Sequence, residues 1–356
     1  MELKSAFQLL ATDERFIQDT REIIVNDLFH QPTNDFFTIV PGIKGGQQVA
    51  AMKGFEYVTT KSAGCGGAGI SPEFPAFSQF WNPTLQEVKL NYCYDDFMGQ
   101  FTQWLLANGY DIKNIGESEL GMFIQDHVTK AMELDLLRII LLGDKDIATQ
   151  DVLTDTANMA KYYDTIDKGL IPTLQYLRGL PEFADQFVTL AQNNAGTIAL
   201  QNTFAATDAL DIYEEILDQY DFDSDMLLSS NRLFKNYQKW VKRANGYGLQ
   251  SNVDLTMKGA NNLTVDGEDL KPVVNYDRWR QKDFIVDNDP NPDTIHIPHF
   301  ALNTRKEFLQ VGVDSEAALT DLRLEYIGGA DETFWIKANY MLDFKMVNPY
   351  ALKAAL

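Results

Sequence analysis

The stretch Glu117–Gly143, ESELGMFIQDHVTKAMELDLLRIILLG, decides how the rest of the chain is read. Glu117, Ser118 and Glu119 place a capping side chain and acidic charge at what would be a helix's positive end. Apolar residues then recur at Leu120, Phe123, Ile124, Val128, Ala131, Met132, Leu136, Ile139 and Ile140, with no proline among them. That three-and-four spacing predicts a helix with one buried face. At 1.5 Å per residue it would be on the order of 40 Å long, enough for a domain to pack along. Gly143, followed by Asp144-Lys145-Asp146, is its expected stop.

Upstream, Phe36–Asp96 has a different character. FFTIVPG at 36–42 and VAAMKGFEYVTT at 49–60 read as strands, and TLQEVKLNYCYDDF at 84–97 alternates. In the last, Gln86, Val88, Leu90, Tyr92 and Tyr94 oppose Leu85, Glu87, Lys89, Asn91 and Cys93. Between the arms lies KSAGCGGAGISPEFPAFSQFWNP (61–83), dense in glycine and then proline. A structureless loop of that length is unusual inside a compact domain. A projecting two-stranded flap accounts for it, and such a ribbon needs a neighbouring surface to be stable. Met1–Phe29 reads as a modest amphipathic arm, and FMGQFTQWLLA (97–107) as a short helix.

Downstream, Thr207–Tyr220 and Asn231–Ala244 keep helical spacing, with Asp225–Ser229 between them as a buried strand. From Gly246 on the chain is mainly extended: 254–257, 262–265 and 271–274 are short strands, with Asp266-Gly267 as a turn. In the closing strand, TFWIKANYMLDFKMVNP (333–349), Phe334, Ile336, Ala338, Tyr340, Leu342, Phe344 and Met346 alternate with polar residues.

The 356 residues are 45% hydrophobic and carry a net charge of -21, enough chain for two domains with a real core. Such acidity argues against non-specific nucleic-acid coating, which requires clustered Lys and Arg. No window approaches a run of eighteen uncharged apolar residues, so no membrane span is expected. Cys65 and Cys93 make no disulfide framework.

No catalytic or metal signature emerges. Gly64-Cys65-Gly66-Gly67-Ala68-Gly69 satisfies G-x-G-x-x-G, but Pro72 and Pro75 follow where a helix N-terminus would have to begin. Asp221–Asp225 lacks the glycine and bidentate Glu of a calcium loop, and Asp287–Asp293 fails similarly at Pro292. His296 and His299 alone make no metal site, and Cys93 has no recognisable His partner. Catalytic, cofactor and metal residues are therefore all expected to be none.

The succession Trp81-Asn82-Pro83, the strand 84–97, LLRIILLGDKD, DKGLIPTL, HFALNTRKEFLQVGVD and FWIKANYMLDFKMVNP resembles the major capsid proteins of tailed bacteriophages with the Hong Kong 97-like fold, of the gut Bacteroidetes phage type. Each motif is degenerate; their order carries the resemblance. It implies an α+β fold with an N-terminal arm (1–35), an extended E-loop hairpin (36–96), a peripheral domain (97–165) with spine helix 117–143, an axial domain (166–300), and return strands (301–356) completing the peripheral domain. It also implies hexamers and pentamers of a shell around double-stranded DNA in a virion assembled in the host cytoplasm. A separate scaffold, a portal and cement proteins would be partners. Flap-tip residues Lys61, Cys65, Phe74, Phe77, Phe80 and Trp81 are the expected assembly contacts, and Lys61 with Asn348 a conceivable crosslink. An encapsulin-like compartment shares the fold. An acidic hydrolase with a flap, or a surface-binding module, is the alternative of another class.

Overall fold

A computed structural model describes residues 33–52, 76–93, 103, 131–218, 224–244, 263–286, 293–313, 323–327 and 333–356. The architecture is α+β, built on two sheets that share one core.

The first sheet is organised by the strand Thr333–Met346. Ile336, Ala338, Tyr340, Leu342, Phe344 and Met346 are buried along it, the alternation read from the sequence. One edge pairs antiparallel with Thr84–Cys93, from Thr333 opposite Cys93 to Leu342 opposite Thr84. The opposite edge is divided between Leu309–Val313 and Arg323–Ile327, both antiparallel, and Thr38–Pro41 joins parallel beyond Leu309–Val313.

This placement corrects one expectation. The strand 84–93 is not the returning arm of the flap; that arm is Ala76–Phe80, antiparallel to Gln48–Met52. The reason lies in the partner. A ten-residue alternating strand gains a full ladder and a buried face against the long strand, whereas a ribbon would leave that face in water. Gln86 is accordingly buried and Val88 and Leu90 pack on the core, while Leu85, Glu87, Lys89 and Asn91 face outward.

The second sheet has the order Phe187–Val188, Leu352–Ala355, Ala301–Thr304, Met226–Ser230, Glu268–Val273, Leu263–Val265. Helices Asp208–Asp218 and Asn231–Ala244 cover one face, through Leu227, Leu270, Ala301 and Ala355. Its other face, through Met226, Leu228, Leu302, Leu352 and Ala354, joins the shared core. Burial on both sides is why MLLSS (226–230) reads as an unbroken run without alternation. Asp266 and Gly267, with φ of 50° and 94°, form the tight turn expected between the 263–265 and 268–273 strands.

Residues 301–304 and 352–355 lie in this second sheet, not in the sheet of the long strand as expected for 301–356. After Met346 the chain turns where Asn348 accepts from the backbone amides of Tyr350, through its side chain, and Ala351, through its carbonyl. The last four-residue strand, LKAA, is too short and too weakly patterned to have been read as a separate element.

Of the helix expected over 117–143, residues 131–142 are described, and they are helical. Met132, Leu136, Ile139 and Ile140 are buried as predicted, but so are Leu137, Leu141 and Leu142. A single apolar stripe was expected; the C-terminal turns are buried all round because both sheets and the helix Leu170–Arg178 enclose them. Arg138, on the same turns, stays satisfied by donating to the Asp135 carboxylate and the Tyr162 carbonyl. Gly143 ends the helix for reasons of space: a Cβ there would sit 2.6 Å from the Ile139 carbonyl and 2.7 Å from Ile166. Its carbonyl accepts from the amide of Gly169, the N-cap of helix Leu170–Arg178. Among the described residues no helix is long and apolar enough to cross a membrane.

Candidate functional site

The flap leaves the first sheet at a defined root. Of the six expected contact residues, Lys61, Cys65 and Phe74 lie outside the described residues; Phe77, Phe80 and Trp81 surround the base of the hairpin. Phe77 meets Phe183 edge-on, with ring centroids 5.8 Å apart. Phe80 is 55% exposed. Trp81 is buried within its own chain.

Trp81 packs against the strand at Gly312. At Gly312 a Cβ would come within 2.6 Å of the indole and 2.5 Å of Ile43, so the strand can pass beneath only as glycine. Two backbone hydrogen bonds hold the main chain of Trp81: its amide donates to the Gln47 carbonyl (2.9 Å) and its carbonyl accepts from the Gly46 amide (2.8 Å). Gln79 donates through its side chain to the Met346 carbonyl at 2.7 Å, tying the hairpin to the end of the long strand.

One residue further, the Asn82 amide donates to the Asp343 carboxylate at 2.8 Å. Asp343 is fully buried and also accepts from the Phe344 amide and from Lys345, whose ammonium lies 3.2 Å from Oδ2. Lys345 reaches Asp167 at 3.6 Å, and Asp167 pairs with Lys145. The network runs from the flap root to the loop behind the spine helix. Burial pushes the Asp343 carboxyl up, only partly opposed by Lys345 and the two amides. Burial also acts upward on Asp167, but its hydrogen bond to Lys145 and the charges of Lys345, Lys145 and Lys168 hold it below the usual range.

The sequence placed Asp343 and Lys345 on the polar face of the final strand, and the alternation is right. Their burial was not legible, because the cover comes from residues some 180 to 260 positions earlier in the chain, including Asp167 and Asn82. The Gly312 signal, a glycine inside a strand pattern (LQVGV), was present; it marks close approach.

A second polar cluster is buried between helix Tyr276–Asp283 and the second sheet. His299 Nδ1 lies 3.3 Å from both the Ser230 hydroxyl and Asp277 Oδ1, and Nε2 lies 3.0 Å from the Arg280 guanidinium. Arg280 must donate, so Nε2 is the acceptor and the proton sits on Nδ1. Burial drives the His299 ring below its ordinary range, with the Asp277 hydrogen bond opposing and Arg280 assisting. Burial likewise pulls Arg280 down to about 10. Asp277 is pushed up by burial but held low by His299, the Arg232 amide and Arg280.

Ser, His and Asp meet here without forming a nucleophilic relay. A relay needs the carboxylate on one ring nitrogen and the hydroxyl on the other, whereas both share Nδ1 and a guanidinium blocks Nε2. His299, Ser230 and Arg280 are also fully buried, so no substrate reaches them. The cluster ties together strand 226–230, helix 276–283 and the loop entering 301–304. His296 does not converge with His299 on a shared site, and among the described residues no group of three His, Cys, Asp or Glu could hold a metal.

No protein-family model and no curated protein sequence matches this chain. Solved structures resemble it in fold. A chain of the satellite phage P4 procapsid, determined with its size determination (Sid) protein, is 12% identical with a TM-score of 0.49, covering 94% of this chain and 98% of that one. A chain from the capsid of Myoviridae phage XM1 is 11% identical with a TM-score of 0.48, covering 92% and 91%. A chain of the virus-like particle from Pyrococcus furiosus is 12% identical with a TM-score of 0.40, covering 96% and 99%. Each likeness spans nearly the whole of both chains.

Proposed function

We propose that this chain is the major capsid protein of a tailed phage of gut Bacteroidetes, with the Hong Kong 97-like fold. Its copies form hexamers and pentamers of an icosahedral shell around double-stranded DNA. The observation that carries the reading is a two-stranded hairpin locked to its own chain at its root. Trp81, Gln79 and Asn82 fix the direction of departure, yet strands 48–52 and 76–80 pair only with each other among the described residues. A two-stranded ribbon gains little stability alone. A rigid root under a two-stranded ribbon suits a flap that completes its burial on a neighbouring subunit.

The spans proposed for the parts follow the sequence: arm 1–35, E-loop 36–96, peripheral domain 97–165 completed by strands after 301, and axial domain 166–300. Residues 38–41 and 84–93, which pair in the first sheet, and 301–304 and 352–355, which pair in the second, are exceptions. A net charge of -21 suits a wall along which packaged DNA slides without sequence-specific contact. Scaffold, portal and cement proteins are the proposed partners, and the subunit works by holding shape and not as an enzyme. Deleting Lys61–Pro75 tests the arm. Loss of closed shells by negative-stain microscopy, with the thermal midpoint unchanged, is expected; normal shells would refute the arm's role.

A further inference from the structure

The two helices covering the outer face of the second sheet carry opposite and unmixed charge. Helix 208–218, DALDIYEEILD, has five acids and no base. Helix 231–244, NRLFKNYQKWVKRA, has five bases and no acid. They lie side by side: Asn236 accepts from the Ala209 amide, and the rings of Tyr213 and Tyr237 meet at 5.6 Å. Even so, among the described residues no ion pair joins Asp211, Glu214, Glu215 or Asp218 to Lys235, Lys239, Lys242 or Arg243.

Each helix breaks two local rules at once. Like charges recur at three- and four-residue spacing, as in Asp211, Glu214, Glu215 and Asp218 or Arg232, Lys235 and Lys239, costing about 0.2–0.5 kcal/mol per pair. Asp208 and Asp211 in the first turn of 208–218 and Lys242 and Arg243 in the last turn of 231–244 suit the helix dipoles, but the opposite ends do not. Acids crowd the last turns of 208–218, which hold no base, and Arg232 and Lys235 sit in the first turns of 231–244, which hold no acid. A sequence that breaks local rules on one surface points to something that surface meets.

The basic helix also opens on a cavity. A space of about 450 Å³ is lined by Arg232, Lys235, Lys239, Asn202 and Asn236, with Asp277 as its one carboxylate. Asp277 is already engaged by the Arg232 amide and His299, so three cations face the opening against one committed anion. The acidic end of helix 208–218 lies elsewhere: Asp218 is nine residues, or on the order of 14 Å, beyond Ala209, which touches Asn236. One molecule thus presents a basic pocket and an acidic end that do not meet each other. That is the layout of a head-to-tail contact, which closes into a ring when the rotation allows.

We propose that helix 208–218 of one copy docks on helix 231–244 of the next, with Glu214, Glu215 and Asp218 entering the pocket of Arg232, Lys235 and Lys239. This rests on the shell reading and names one contact that holds a capsomer ring. Like charges brought together at such a contact repel strongly, and opposite charges set its register and speed its formation.

Charge reversal tests it on the full-length chain. Lys235→Glu/Lys239→Glu and, separately, Glu214→Lys/Glu215→Lys should each lower the yield of sedimenting assemblies at least about tenfold, since like charges then face each other. Thermal midpoints should hold, because all four residues are exposed. Mixing the two reversed proteins should restore six-membered rings, in which the two kinds alternate, but not five-membered rings, where one like-charged contact must remain. Lys235→Gln/Lys239→Gln, which removes two charges without reversing them, should weaken assembly less than reversal and serves if a reversed chain does not fold. Variants that assemble like wild type, or a mixture no better than its components, would overturn the contact and leave the shell reading standing. A wild-type chain that never assembles would overturn the shell reading and the contact with it.

Discussion

Gly312→Ala probes the flap root directly. The new methyl would stand 2.5 Å from Ile43 Cδ1, 2.6 Å from Trp81 Cζ3 and 2.9 Å from Trp81 Cε3. Ile43 can rotate its terminal methyl away. Trp81 cannot slide, because hydrogen bonds hold the backbone at Gly46, Gln47 and Trp81 and the Asp343 carboxylate holds the next amide. Overpacking a fixed site costs about 1–3 kcal/mol. Against this, alanine in a strand interior gains roughly 0.5–1 kcal/mol over glycine through the unfolded chain. The net loss should be about 1–2 kcal/mol. Trp81→Ala alone should cost about 3–5 kcal/mol, since the indole is buried. In the Trp81→Ala background the methyl of Gly312→Ala would fill space and not invade it, so its cost should vanish or change sign. The coupling, about 1 kcal/mol or more, is read from urea midpoints of the four proteins at constant m value. Equal cost of Gly312→Ala in both backgrounds would refute the argument that Trp81 covers a bare strand.

Other expectations follow from the buried charges. Lys345→Met should destabilise by about 3–5 kcal/mol by stranding Asp343, and Asp343→Asn/Lys345→Met should recover most of it in urea melts. Because burial lowers His299 below 6.5, its stabilising effect is fully present above that pH and is lost as pH falls toward the folded value. The wild-type thermal midpoint should therefore drop between about pH 7 and pH 5 more steeply than that of His299→Gln, provided both fold. Gly267→Ala should cost about 1 kcal/mol, because φ there is 94°.

Much of the fold was legible because it depends on local pattern. Strand 333–346, helix 231–244 and the Asp266-Gly267 turn each carry their own signal, and each stands where the pattern put it. What failed depends on partners distant in sequence. The alternation of 84–93 predicts a half-buried strand but not whether its neighbour is the flap or residues 333–342. The burial of Asp343 and Lys345 needs Asn82 and Asp167, and the enclosure of Leu137, Leu141 and Leu142 needs both sheets. Of the expected site, Trp81 is buried beside Ile43 and Gly312 of its own chain, a packing that depends on a residue about 230 positions away and that the sequence does not show.

The most direct measurement is electron microscopy of the purified full-length protein with single-particle classification. The account predicts closed shells with six-fold and five-fold capsomers and a hairpin lying across the neighbouring subunit. A population of monomers or small discrete oligomers, under conditions where the protein is folded and concentrated, would contradict it.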